Sequence, residues 1–166
     1  MFIFSIQPRR GFALITLACV AMLGFALYLQ QVGGLEPCPM CIVQRYALIG
    51  VALLAGLAAL GGRRWAFMSF GILSFIASVF GAFVAARQSW IQWYPPETAS
   101  CGRDFYGMIE NFSLKRVIPM IFKGSGDCTK VDWTLFGGSI ANWSFVCFAA
   151  LGLCSFYLVL KSNKTH

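Results

Sequence analysis

The chain has 166 residues, 58% of them hydrophobic and only 11% charged, where an ordinary soluble domain carries about 25% charged residues. Residues 11–35, 65–86 and 133–160 hold no charge and 42–62 hold only Arg45, a distribution that excludes a conventional soluble fold. The net charge of +7 raises nucleic acid as a partner, but Arg9, Arg10, Arg63, Arg64, Lys161 and Lys164 flank the apolar stretches. They read as membrane anchors, and no nucleic-acid partner is expected.

Roughly 20 apolar residues in a helix cross the hydrocarbon core, and each stretch is long enough. The runs are continuous rather than alternating, which predicts helices rather than barrel strands. The predicted spans are about 11–31, 42–61, 65–87 and 138–160, in one domain covering 1–166. The first could be confused with a cleaved signal peptide, whose apolar region is about 7–15 residues and ends at a small-residue site. Here the run is longer and ends in Tyr28-Leu29-Gln30-Gln31, so it is expected to remain as a span. Arg9-Arg10 reads as its anchor rather than a twin-arginine address.

Four crossings put the six flanking cations on one side. By the positive-inside rule both termini and the turn at 61–64 are then cytoplasmic. The opposite side receives a short loop, about 32–41, and a long one, about 88–137. The long loop is near neutral, with Arg103, Lys115, Arg116, Lys123 and Lys130 against Glu97, Asp104, Glu110, Asp127 and Asp132. It is also rich in apolar residues such as Phe105, Met108, Ile109, Phe112 and Ile121, so it is expected to lie on the membrane surface in short segments interrupted at Pro119. Ala52, Gly56, Ser74, Ser78 and Gly81 suit close helix packing. The tryptophans near span ends suit interfacial anchoring.

The seven cysteines sort by topology. Cys19, Cys147 and Cys154 fall inside spans and read as small hydrophobes. Cys38, Cys41, Cys101 and Cys128 all fall on the non-cytoplasmic side, where disulfides persist. Cys38-Pro39-Met40-Cys41 is a CxxC motif. A zinc site would need a second clustered pair or histidines, yet Cys101 and Cys128 are far apart in sequence and the single histidine is His166. A redox pair fits the motif, because thiols at this spacing ionise readily. Cys41 stands where the second span begins, so backbone N–H groups and the helix dipole favour an anionic sulfur there. Arg45 lies one turn further on the same face. Snorkelling to lipid head groups accounts for it, but we favour a role in stabilising the Cys41 thiolate or a reduced, negatively charged cofactor. Gln44 is a further polar neighbour by adjacency alone. Cys101 and Cys128 could staple the long loop, contributing roughly 3–4 kcal/mol; beside a redox-competent pair, relay is the better reading.

These features together resemble the DsbB family of bacterial inner-membrane proteins. The resemblance rests on four spans, Cys38-Pro39-Met40-Cys41 followed by Ile42-Val43-Gln44-Arg45, the Tyr94-Pro95 pair, Cys101, and Gly126-Asp127-Cys128. It implies an all-α membrane protein, a four-transmembrane-helix bundle with a long periplasmic loop, acting as a quinone-dependent thiol oxidase. Cys101, paired with Cys128, would be attacked by the reduced thiol of a DsbA-like periplasmic oxidase. Electrons would then pass to Cys38–Cys41, through a transient Cys38–Cys128 bond, and Cys41 would face ubiquinone or menaquinone with Arg45 near the ring oxygens. One position departs from the family pattern: a histidine often found about six residues before the Tyr-Pro pair is Gln88 here, which puts any quinone contact by that histidine in doubt. A non-catalytic four-span protein with structural disulfides is the alternative, and it requires Cys38 and Cys41 to stay permanently oxidised.

Overall fold

The computed structural model describes residues 7–34, 38–94, 134–135 and 137–164. Four helices make up almost all of it: α1 (Pro8–Gly33), α2 (Pro39–Gly61), α3 (Arg64–Trp93) and α4 (Ile140–Lys164). A short antiparallel pair, β1 (Thr134–Leu135) and β2 (Gly138–Ser139), leads into α4. Its tight reversal uses Gly137 at φ 79°, a left-handed conformation that glycine adopts without a Cβ penalty. All four helices are long and apolar enough to cross a membrane. At 1.5 Å per residue they run to about 35–45 Å, against a hydrocarbon core of about 30 Å.

Local sequence sets the helix ends. Pro8 and Pro39 occupy the first helical positions, where a missing N–H costs nothing. Gly34 at φ 62° and Gly62 at φ 60° end α1 and α2 in left-handed caps. Two helix bounds differ from expectation in ways that matter for the site. Helix α2 starts at Pro39 rather than at about 42, and Cys41 lies in its first turn, at the start of the helix as expected. Helix α3 runs on to Trp93, burying Gln88, Ser89 and Ile91 on its inner face, because nothing from Gln88 to Trp93 breaks a helix. Gln88 is therefore a helical residue, not the first residue of the long loop.

Each helix packs against its chain neighbours, and α4 closes the ring onto α1. Phe12, Val51, Ala55, Phe67 and Phe148 are among the residues at the centre. Small residues let the backbones approach, as lipid-embedded helices require: Gly81 receives the Phe148 ring, and Gly71 receives Val159 and Phe12. Ser74 and Ser155 meet across α3 and α4 with their hydroxyls 3.4 Å apart. Thr16 of α1 donates to the Ala52 carbonyl of α2 at 3.3 Å. The outer surface carries Leu17, Leu53, Leu60, Phe83 and Leu153 in exposed positions. Such a continuous apolar belt would drive association in water but is matched by lipid. Trp65, Trp90, Trp93 and Tyr94 stand exposed at the two ends of α3, and Trp90 packs on Tyr94 with ring centroids 5.0 Å apart. The protein is thus a multi-pass, all-helical membrane protein. The expected surface segment around Pro119, with Cys101, Cys128 and Trp133, lies outside the described residues.

Candidate active site: a dithiol at a helix N-terminus

The CxxC motif forms the start of α2. Cys38 is the N-cap, in an extended conformation (φ −64°, ψ 160°), and its sulfur accepts from the Cys41 backbone N–H at 3.4 Å. The backbone donor expected to favour Cys41 is thus spent on Cys38. The reason is geometric: a side chain at the N-cap reaches back over the first turn to the orphan N–H groups two or three residues on. Pro39 supplies the fixed φ of the first helical residue, and Met40 between the cysteines is wholly buried. Residues three apart on a helix share a face, so the two sulfurs come within 2.9 Å. Cys38 is buried and Cys41 half-buried. A disulfide needs about 2.05 Å between sulfurs, so little backbone movement separates this close pair from a disulfide.

Helix α3 provides a polar contact to both sulfurs. The side-chain amide of Gln88 donates from Nε2 to Cys41 Sγ at 3.3 Å and to Cys38 Sγ at 3.4 Å. Its Oε1 accepts from Gln44 Nε2 at 2.7 Å and lies 3.8 Å from Cys41 Sγ. Gln44 and Gln88 are 6% and 4% exposed, which places two hydrogen-bonded amides in the protein interior. Sequence reasoning noted Gln44 only for adjacency and Gln88 only as a departure from a pattern. Their contact spans 44 positions, and no spacing rule within one helix reveals it.

Arg45 points elsewhere. Its Nη1 donates to Gln30 Oε1 at 2.6 Å and its Nη2 to the Ala26 carbonyl at 3.3 Å, both on α1. Neither sulfur is among its hydrogen-bond partners in the described residues, although it lies one turn from Cys41. Those bonds offset part of the several kcal/mol that a charge within a span costs. Nearby, Ser139 caps α4 by accepting from the Asn142 N–H at 3.4 Å, and donates to Gln92 Oε1 at 2.6 Å. Cys101 and Cys128 lie outside the described residues. Cys19 is buried in the bundle core, Cys147 is half-buried and Cys154 is exposed on its outer face. Among the described residues no cluster of three His, Cys, Asp or Glu could hold a metal ion.

A close pair of cysteine sulfurs at the capped start of a membrane helix, beside an uncharged donor, is the arrangement that an integral-membrane thiol–disulfide oxidoreductase requires. Sequence comparison agrees. The family model described as Disulfide bond formation protein DsbB matches residues 8–158, and the chain belongs to that family. Among relatives named Disulfide bond formation protein B, one from Paracidovorax citrulli is 67% identical over 158 residues, covering 95% of this chain and 90% of the relative. One from Acidovorax sp. (strain JS42) is 64% identical over 157 residues, with 95% and 90% coverage. One from Polaromonas sp. (strain JS666) is 65% identical over 158 residues, with 95% and 94% coverage. The protein is a membrane disulfide oxidoreductase of disulfide bond formation.

Proposed function

We propose that this protein, as one domain over residues 1–166, re-oxidises a DsbA-like periplasmic dithiol oxidase and passes the electrons through Cys38–Cys41 to a membrane quinone, ubiquinone or menaquinone. In this reading both termini are cytoplasmic and both cysteine pairs periplasmic, in the inner membrane. The partner's thiolate attacks Cys101 of a Cys101–Cys128 disulfide and releases Cys128 as a thiolate. Cys128 attacks Cys38, which opens the Cys38–Cys41 bond and leaves its electron pair on Cys41. The partner's second thiol then resolves the mixed disulfide at Cys101, and the freed Cys101 thiolate attacks Cys128, re-forming the Cys101–Cys128 disulfide and releasing Cys38, so that Cys38 and Cys41 hold the two electrons. Two electrons have moved inward, and the partner leaves oxidised.

The observation that supports this most directly is the 2.9 Å approach of the Cys38 and Cys41 sulfurs at the helix start. The residues present also fit a quinone. Arg45 spends two hydrogen bonds on α1, and a guanidinium has five N–H donors, so donors remain for an acceptor oxygen at the same end of the bundle as the dithiol. When bound, a quinone would supply the acceptor for two electrons and two protons. Arg45 would orient its ring oxygens, and Cys41 would present the sulfur.

Alkylation trapping in cells tests the relay. With quinone depleted and reduced partner present, Cys38–Cys41 is expected to accumulate as the dithiol. A pair that stays oxidised under those conditions refutes the proposal. Cys41→Ser is expected to abolish quinone reduction.

A further inference from the structure

Two buried amides meeting across helices need only each other. The Gln44–Gln88 bond alone would satisfy that structural role and clamp α2 to α3. The observed arrangement does more. The 2.7 Å bond from Gln44 occupies Gln88 Oε1, and this turns the Gln88 NH₂ group toward the sulfurs at 3.3 and 3.4 Å. The Gln88 amide is thereby held in one orientation against the atoms that exchange bonds.

Building on the reading of Cys38–Cys41 as the exchanging pair, we infer that Gln88 is a catalytic hydrogen-bond donor to the sulfur released in exchange. Gln44 is the positioning residue that keeps the donor end facing it. In the step concerned, an incoming cysteine thiolate forms a new S–S bond at Cys38 Sγ. The Cys38–Cys41 bond breaks and its electron pair leaves on Cys41 Sγ. A dipole already aimed at that sulfur stabilises the developing charge without reorganising. The surroundings are buried and largely apolar, which strengthens the interaction. An amide has a further property that an imidazole lacks: it stays neutral throughout the working range. An imidazole changes charge between about pH 5 and 8. Gln88 also serves the protonated state, because its Oε1, 3.8 Å from Cys41 Sγ, can accept from the thiol. One uncharged group therefore accompanies Cys41 through both protonation states.

The test is site-resolved alkylation of Cys41 by iodoacetamide, read by mass spectrometry across a pH series, on the full chain reduced with dithiothreitol in detergent. The wild type is expected to show only the inflexions of the coupled Cys38–Cys41 dithiol. Gln88→Leu is expected to slow alkylation at neutral pH by about ten- to a hundredfold and to move the inflexion upward. Gln88→His is expected to recover the rate at low pH and to add an inflexion between about pH 5 and 8 that the wild type lacks. Gln44→Leu is expected to slow alkylation less, and to add nothing in a Gln88→Leu background. A Gln88→Leu profile that superimposes on the wild type overturns the inference. So does a Gln88→His profile with no inflexion beyond those of the wild type, which decides the matter if the leucine variant does not fold. Fully additive effects of Gln44→Leu and Gln88→Leu overturn the role of Gln44. The assay contains neither quinone nor partner protein, so a wild type that fails to reduce quinone refutes the proposed function without touching this comparison.

Discussion

The α3–α4 interface makes a quantitative prediction from two glycines that differ only in what faces them. At Gly81 an added Cβ would sit 2.4–2.6 Å from three atoms of the Phe148 ring. Phe148 is 3% exposed, so the ring has no open space to move into. Restoring ordinary contact near 3.4 Å requires a shift of about 1 Å, and overpacking of that kind costs about 1–3 kcal/mol. At Gly152 the same Cβ would meet Ser78 Cβ at 3.5 Å and Phe75 at 3.8 Å, which is ordinary contact. Both glycines lie inside helices, so alanine brings each the same gain in helix propensity, about 1 kcal/mol. That gain cancels when the two variants are compared. Gly152→Ala should therefore be neutral or stabilising. Gly81→Ala should be less stable than it by about 1–3 kcal/mol, or roughly 2–12 °C in melting temperature for a chain of this size. Thermal unfolding of the two variants in one detergent, followed by circular dichroism, measures the gap. If Gly81→Ala melts at or above Gly152→Ala, the close approach of α3 to α4 at Phe148 is not part of the folded state.

Arg45→Ala should raise the KM for a soluble quinone analogue about tenfold or more while Cys38–Cys41 still exchanges with reduced partner, since a charge-assisted hydrogen bond contributes about 1.5–3 kcal/mol. Unchanged quinone kinetics would remove Arg45 from the acceptor site. Gln30→Leu removes the 2.6 Å bond that holds the guanidinium and should give a smaller rise in the same KM, with none expected in an Arg45→Ala background. Ser139→Ala deletes the α4 cap and the bond to Gln92; a lost cap costs about 1 kcal/mol, so the melting temperature should fall by about 2–4 °C. An unaltered melting curve would show that the cap contributes nothing.

The fold was legible because lipid imposes a one-dimensional rule. Uncharged runs of sufficient length become spans, and no long-range contact has to be guessed to see them. The CxxC pair was legible for a similar reason, since its partners are three positions apart on one turn. What sequence could not supply was direction. Arg45 was correctly placed one turn from Cys41, but its side chain is long enough to reach either neighbour, and the carbonyl and amide of α1 hold it away from the sulfurs. Gln88 shows the opposite case. At sequence level it only put in doubt a quinone contact by a histidine often found at that place in the resembled family. In the structure it is a contact of a different kind, visible only once α2 and α3 are packed.

The polar groups are distributed unevenly along the bundle, and the unevenness bears on mechanism. Gln30 near the end of α1, Cys38 to Arg45 at the start of α2, Gln88 and Gln92 near the end of α3, and Ser139 before α4 all lie at one end. At the other end Arg64 donates to Asn163, near the flanking cations. Between them, hydroxyls of Thr16, Ser74, Ser78 and Ser155 make hydrogen bonds in the interior. A dithiol that ionises needs donors, yet each charged donor within a span carries a desolvation cost. Amides supply the donors at lower cost, because they stay neutral and can satisfy one another when no thiolate is present. Of the two guanidiniums at this end of the described bundle, Arg87 lies beside Gln88 on α3 and Arg45 is held on α1, apart from the sulfurs. Charge stabilisation of the thiolate and recognition of an acceptor oxygen can then reside in different residues, Gln88 for the first and Arg45 for the second. Substitutions at the two positions should therefore separate experimentally, one altering Cys41 reactivity without acceptor present and the other altering only acceptor use.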